Sequence, residues 1–150
     1  MTAAPDPALV DTNVLVYAVF PAMPDHPASR ALVDTAKSAG ANLCVAPQNL
    51  IEFFAVVTDP RRVTQPKTSD EAPQAIDDFL MLPGLALLPV PGDLMTRWSQ
   101  LIRQSSTTRK RAFDTQLVAT MLGNSVKKIY TFNTADFHVF APSGIQAITP

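Results

Sequence analysis

Two kinds of apolar pattern alternate along this chain. Short blocks at Ala8-Leu9-Val10, Leu43 to Ala46, Leu85 to Leu88, Lys128 to Thr131 and Ile145 to Ile148 are too brief for helices and predict strands. Between them the spacing turns helical. Val14 to Val19 is the first such stretch, and Pro27 to Ser38 follows with Ala31, Leu32, Thr35 and Ala36 on one face and Gly40 as the stop. Pro47 suits a first helical turn, and Leu50, Phe53, Phe54 and Val57 continue at helical spacing until Asp59-Pro60. Residues Arg61 to Thr68 predict a loop. Ser69 is expected to cap a helix through Ala72, Ile76, Phe79 and Leu80 that Pro83-Gly84 closes. Gly92 and Asp93 open a helix through Trp98, Leu101 and Ile102, and a last one runs from Arg111 to Leu122 before Gly123. Strands alternating with helices predict an α/β fold of three layers, a mostly parallel central sheet covered on both faces.

Composition narrows this picture. With 150 residues, 47% of them hydrophobic, the chain can bury one core and is short for two, so residues 1–150 are expected to form one domain. No repeat, low-complexity tract or linker interrupts it. The single cysteine, Cys44, has no partner for an internal disulfide and lies in a strand, which points to a reducing compartment, the cytoplasm. No basic segment leads into an apolar one at the start, and no apolar run nears the roughly 20 residues that span a bilayer, so neither export nor membrane insertion is expected. A net charge of −1 gives no global sign of nucleic-acid binding, which would have to come from a local patch.

The acids carry the chemical signal. Nine of the thirteen sit in polar company, where solvation accounts for them. Asp11, Glu52, Asp114 and Asp136 are isolated in apolar stretches without a local basic partner. Glu52 is the sharpest case, because its helix is apolar nearly all round and is expected to be largely buried. A buried, unpaired carboxylate costs several kcal/mol, so it is protonated, paired or bound to a cation. Taken singly, Asp11 and Asp114 read equally as helix caps, Glu52 as a half-exposed helix acid and Asp136 as a turn acid. Four together point to a shared hard divalent ion, which prefers oxygen ligands and offsets their repulsion. Asp11 and Asp136 lie just past strand ends, where open α/β sheets bind ligands, and Asp114 falls in the first turn of a helix. Asn13 can hydrogen-bond a carboxylate or a metal-bound water, while Thr12 is expected to cap the following helix.

Asp11-Thr12-Asn13 after a strand, Glu52 within Pro47-Gln48-Asn49-Leu50-Ile51-Glu52-Phe53, Phe113-Asp114-Thr115-Gln116-Leu117-Val118-Ala119 and Thr131-Phe132-Asn133-Thr134-Ala135-Asp136-Phe137 resemble, in that order and spacing, the PIN-domain nucleases, especially VapC toxins. The resemblance runs from about Leu9 to Phe140. It implies a PIN-like fold and an acidic cluster of Asp11, Glu52 and Asp114 that binds metal and is catalytic. Asp136 would be the variable fourth acid and Asn13, Thr131 and Asn133 supporting polar groups. Relatives often carry an aspartate near the position of Asn133, so Asn133 or Asp136 faces the metal; Asp136 is taken here. The family further implies Mg²⁺ or Mn²⁺, an RNA substrate, a homodimeric toxin of a type II toxin–antitoxin system and a cognate antitoxin that blocks the site.

Hydrolysis of a phosphodiester needs an activated water, a neutralised phosphate and a stabilised leaving oxygen, all of which one or two divalent ions supply. Arg109, Lys110 and Arg111 just before Asp114 are candidate RNA-phosphate contacts, and Arg61-Arg62 is a second candidate pair. His26 and His138 lack paired ligand spacing and read as structural or surface residues, and Trp98 and the phenylalanines read as core. A phosphatase of the haloacid dehalogenase type needs a second aspartate at position 13, which is asparagine, and the acidic pair of a receiver domain is not seen. A PIN-domain nuclease of RNA processing or decay without an antitoxin stays open as an alternative, as does a non-catalytic PIN domain that binds RNA or protein.

Overall fold

The computed structural model describes residues 3–106 and 108–150, apart from the side chain of Lys110. Five strands, β1 (Ala8–Val10), β2 (Leu43–Val45), β3 (Leu85–Leu87), β4 (Lys128–Tyr130) and β5 (Gln146–Ile148), pair in the order β3-β2-β1-β4-β5. Every pairing is parallel. The helices are α1 (Thr12–Val19), α2 (His26–Thr35), α3 (Pro47–Val57), α4 (Glu71–Leu80), α5 (Leu94–Ser105) and α6 (Ala112–Gly123). Three 3-10 segments, Ala39–Ala41, Arg109–Arg111 and Thr134–Ser143, complete the described elements. The α/β expectation holds, with every predicted strand in place.

Two-residue periodicity splits the strands between two cores. Ala8, Val10, Leu43, Val45 and Leu85 face α1 to α4 with Val14, Leu15, Phe53 and Phe79. Leu9, Cys44 and Ile129 face α5, α6 and the Thr134–Ser143 segment, meeting Leu117, Val118, Phe137 and Phe140. Phe53, Leu9 and Ile129 are wholly buried, each contributing about 1.5–3 kcal/mol of hydrophobic stabilisation. Burial pushes the Cys44 thiol up to about 12, so it stays a neutral core group. Gly84 is required by close packing, since a Cβ there would lie 2.1 Å from the Ser38 carbonyl oxygen.

Three local expectations change. Ser69 does not cap α4: Asp70 precedes the helix, and it is the Thr68 hydroxyl that accepts from the Glu71 N–H at 3.1 Å while the Glu71 carboxylate accepts from the Thr68 N–H at 3.1 Å. Thr12 is not a cap but the first residue of α1, and Asp11 caps the helix through the Thr12 N–H at 2.8 Å. Helix α3 is not buried all round. Asn49, Leu50, Phe53 and Val57 face inward, but Ile51 is 70% exposed and Phe54 38%, so its outer side is an uncovered apolar face.

Strand order decides where the site lies. It reverses at β1, which has β2 on one side and β4 on the other, and the carboxyl ends of β1 and β4 open a crevice there. Asp11 follows β1 and Thr131 follows β4 directly. No helix among the described residues is long and apolar enough to cross a membrane.

Candidate metal centre

The crevice is a cleft of about 560 Å³ that Asp11, Thr12, Asn13, Glu52, Asp114 and Asn133 help to line. Each acid arrives on a different element: Asp11 from the end of β1, Glu52 from the middle of α3 and Asp114 from the first turn of α6.

Asp11 is the most firmly held. Its Oδ1 accepts from the Thr12 N–H, and its Oδ2 accepts from the Thr131 hydroxyl at 2.8 Å and from Asn13 Nδ2 at 3.4 Å. Thr131 is wholly buried, and its Oγ1 in turn accepts from the Asn133 N–H at 3.0 Å and from Asn13 Nδ2 at 3.2 Å. Asn13 Oδ1 receives the Phe132 N–H at 3.3 Å, which ties the β1 and β4 ends together. Burial raises the Asp11 carboxyl above its ordinary value, and neighbouring Glu52 and Asp136 add to the rise; the bonds from Thr131 and Thr12 oppose it.

Glu52 is held from two sides. Its Oε2 lies 3.1 Å from the Thr12 hydroxyl, whose single proton is shared with the Asn49 carbonyl at 3.3 Å. Its Oε1 accepts from Gln48 Nε2 at 3.1 Å, and the same amide donates to the Phe113 carbonyl at 2.8 Å, linking α3 to the start of α6. Buried Asn49 fixes the start of α3 by accepting from the Ala46 N–H at 2.8 Å. Sequence reasoning missed Gln48 and Asn49 as supports; the available signal was their position one turn before Glu52 on the same helix face.

Asp114 has no hydrogen-bond partner on its carboxylate among the described residues. Burial, with Asp136, Asp11 and Glu52 nearby, pushes its carboxyl up to about 6, and the charge of Arg111 opposes this. Asp136 stands at the rim, its side chain 45% exposed, while Asn133 lines the cleft. Arg111 Nη1 lies 3.6 Å from the Asp136 carboxylate and also donates to the Asp136 main-chain carbonyl. Of the basic cluster, then, Arg111 is turned inward to Asp136 and Arg109 is exposed, while the Lys110 side chain lies outside the described residues.

The histidines take no part, since His26 Nδ1 sits 2.7 Å from the Tyr17 carbonyl and His138 is exposed. Trp98 donates to the Ala112 carbonyl at 3.0 Å and packs in the second core, as its helical spacing predicted. Among the described residues no three His, Cys, Asp or Glu side chains stand close enough to ligate one ion as placed. The donor set nonetheless suits a hard cation. A carboxylate offers about four lone-pair positions, of which Asp11 has about one left, Glu52 about two and Asp114 all. All are oxygen, and their mutual repulsion is what a divalent ion would relieve.

Comparison with known proteins agrees with this architecture. A PIN domain family model matches residues 8–141. Ribonuclease VapC24 of Mycobacterium tuberculosis, in strains CDC 1551 / Oshkosh and ATCC 25618 / H37Rv alike, is 30% identical over 137 residues, 91% of this chain and 92% of that protein. The crystal structure of M. tuberculosis VapC20, a sarcin–ricin loop cleaving toxin, has a TM-score of 0.64 at 18% identity, covering 95% of this chain and 99% of that one. VapBC2 from Rickettsia felis, bound to a DNA fragment from its promoter, has a TM-score of 0.62 at 16% identity, covering 95% and 97%.

Proposed function

Since this chain belongs to the PIN-domain family, among its VapC ribonucleases, we propose that it is the toxin of a type II toxin–antitoxin pair, a Mg²⁺-dependent endoribonuclease working in the acidic cleft. The observation that carries the reading is that three acids from three separate segments, each isolated in sequence, line one crevice at the sheet's switch point. Divalent metal use is general in the family, and Mg²⁺, with Mn²⁺ as a substitute, suits an all-oxygen donor set.

Asp11, Glu52 and Asp114 would hold the ion, and Asp136, kept at the rim by Arg111, adds negative charge within reach of Asp11 and Asp114. When bound, the ion would lower the pKa of a water that attacks phosphorus and would neutralise charge on the phosphate and leaving oxygen. The chain's own part is orientation. Thr131 and Asn13 aim the Asp11 carboxylate, and Thr12 with Gln48 aims that of Glu52. The water's oxygen forms the new P–O bond as the P–O bond to the departing nucleotide breaks, so no enzyme side chain is covalently modified.

Ile51, Phe54, Leu87, Val90 and Phe113 are large apolar groups left exposed. They line two adjoining grooves of about 400 and 380 Å³, the second of which shares Glu52 with the cleft. Such a band suits protein contacts, and we assign it to the antitoxin and to a second copy of the chain. Residues 1–150 would act as one domain in the cytoplasm, where both RNA and a reduced Cys44 are expected.

The test is cleavage of a fluorescent single-stranded RNA by purified, antitoxin-free protein. Cutting with Mg²⁺ or Mn²⁺ that EDTA abolishes supports the reading. Absence of cutting with either metal across several RNAs would leave a non-catalytic, RNA- or protein-binding PIN domain as the better one. Loss of toxicity on co-expression of the neighbouring open reading frame separates the toxin from an RNA-processing nuclease.

A further inference from the structure

The cleft is not acidic throughout. Beyond Glu52 its lining continues through Ala55 and Val56 of α3 to Arg62 and Val63 in the following loop, with Val16, Tyr17 and Met23 beside them. Arg62 is the one cation on the lining among the described residues. Its sequence neighbour is differently placed: the Arg61 guanidinium binds both carboxylate oxygens of Asp59 at 3.1 Å. The Arg62 guanidinium makes no hydrogen bond or close ion pair among the described residues, although its charge also acts on nearby Asp59.

The loop that carries Arg62 is held in place. Both Arg62 and Val63 donate their N–H to the Asp59 carbonyl, at 2.9 and 3.1 Å, and Lys67 donates to the Val57 carbonyl at 2.7 Å. Val63 is buried, anchoring the turn. The end of α3 lies about 7.5 Å along the helix axis from Glu52, at 1.5 Å per residue. One cleft therefore offers carboxylates for a metal-bridged phosphate, then an apolar stretch edged by the Tyr17 ring, then an arginine with unused donors. The same alternation of phosphate, flat apolar base and phosphate runs along a single RNA strand.

We propose that Arg62 binds the backbone phosphate next to the one being cut, with the base between them seated against Tyr17 and Met23. This rests on the ribonuclease reading and adds a nucleotide subsite to it. Arg61 serves only to fix Asp59 and the turn.

The experiment uses the full chain with Asp114→Asn, so that RNA is bound without being cut, and follows anisotropy of a fluorescein-labelled single-stranded RNA from 50 to 300 mM salt. Adding Arg62→Ala is expected to weaken binding by about tenfold at the lowest salt and to reduce the slope of log K against log salt by about one. Arg62→Lys restores much of the affinity, and remote Lys37→Ala leaves it unaltered. In the cleaving background, Arg62→Ala raises KM while kcat stays within about threefold, since the arginine binds ground and transition states alike. Equal affinity and equal salt slope for Arg62→Ala, in protein whose parent cuts RNA, overturns the subsite and leaves the nuclease standing. A parent that neither binds nor cuts RNA overturns both.

Discussion

The β1–α3 side of the cleft and the α6 side are built on different terms. On the first, Asp11 and Glu52 are both fastened by neighbours, and the fastening residues Thr12, Asn49 and Thr131 are themselves buried. On the second, Asp114 has a carboxylate without a hydrogen bond among the described residues, and Asp136 is engaged with Arg111 at the rim. The first side carries orientation built into the fold, whereas the second carries charge held against repulsion, free to adjust as a cation draws it in.

The largest effects are expected at the acids themselves. Asp11→Asn and Asp114→Asn should each lower kcat/KM on a fluorescent RNA by about a thousandfold, the loss of several kcal/mol of charge stabilisation. A loss below tenfold for Asp114→Asn would confine the chemistry to the β1–α3 side. Next in size, Thr131→Val removes the 2.8 Å bond that aims Asp11, and activity should fall about 10–100-fold, with Thr131→Ser recovering most of it. Asp136→Asn should cost about tenfold or less, because its carboxylate acts from the rim. Carbonyl-detected NMR should show the Asp114 titration moving down from about 6 in that variant. A stationary Asp114 would break the coupling between the two acids.

The smallest effect concerns metal-free stability. A carboxyl raised from 3.8 to about 6 favours the folded state while protonated, so its stabilisation is full below pH 3.8 and lost as pH rises through about 6. Asp114→Asn should therefore be more stable than the parent in EDTA at pH 7.5. With Asp114 half in contact with water, the gain is discounted to about 1 kcal/mol, or roughly 2–4 °C in Tm, and should vanish near pH 4. A parent at least as stable as the variant at pH 7.5 would remove the repulsion from the account.

Periodicity gave the strands because their apolar blocks are short and bounded by prolines and polar turns, and isolation in sequence singled out Asp11, Glu52 and Asp114, the three acids that line the cleft. What stayed hidden was set by packing across elements. Nothing local in the run from Pro47 to Thr58 tells which of its apolar faces is covered, so the exposure of Ile51 could not be read. That Asp11 and not Thr12 caps α1, and that Thr68 and not Ser69 meets Glu71, depended on the backbone path rather than on residue type. Arg61 and Arg62 are chemically identical in sequence, and only the fold turns one to Asp59 and the other to the cleft. The same holds for Arg111, whose neighbour Asp136 is 25 residues away in the chain.

The central claim is that acids scattered from Asp11 to Asp114 make one metal centre, and titration of Mn²⁺ into folded protein, followed by the loss of its free EPR signal, tests it most directly. Saturable binding is expected, weakened by at least about tenfold by each of Asp11→Asn, Glu52→Gln and Asp114→Asn. Binding that persists unchanged through all three substitutions would contradict the claim.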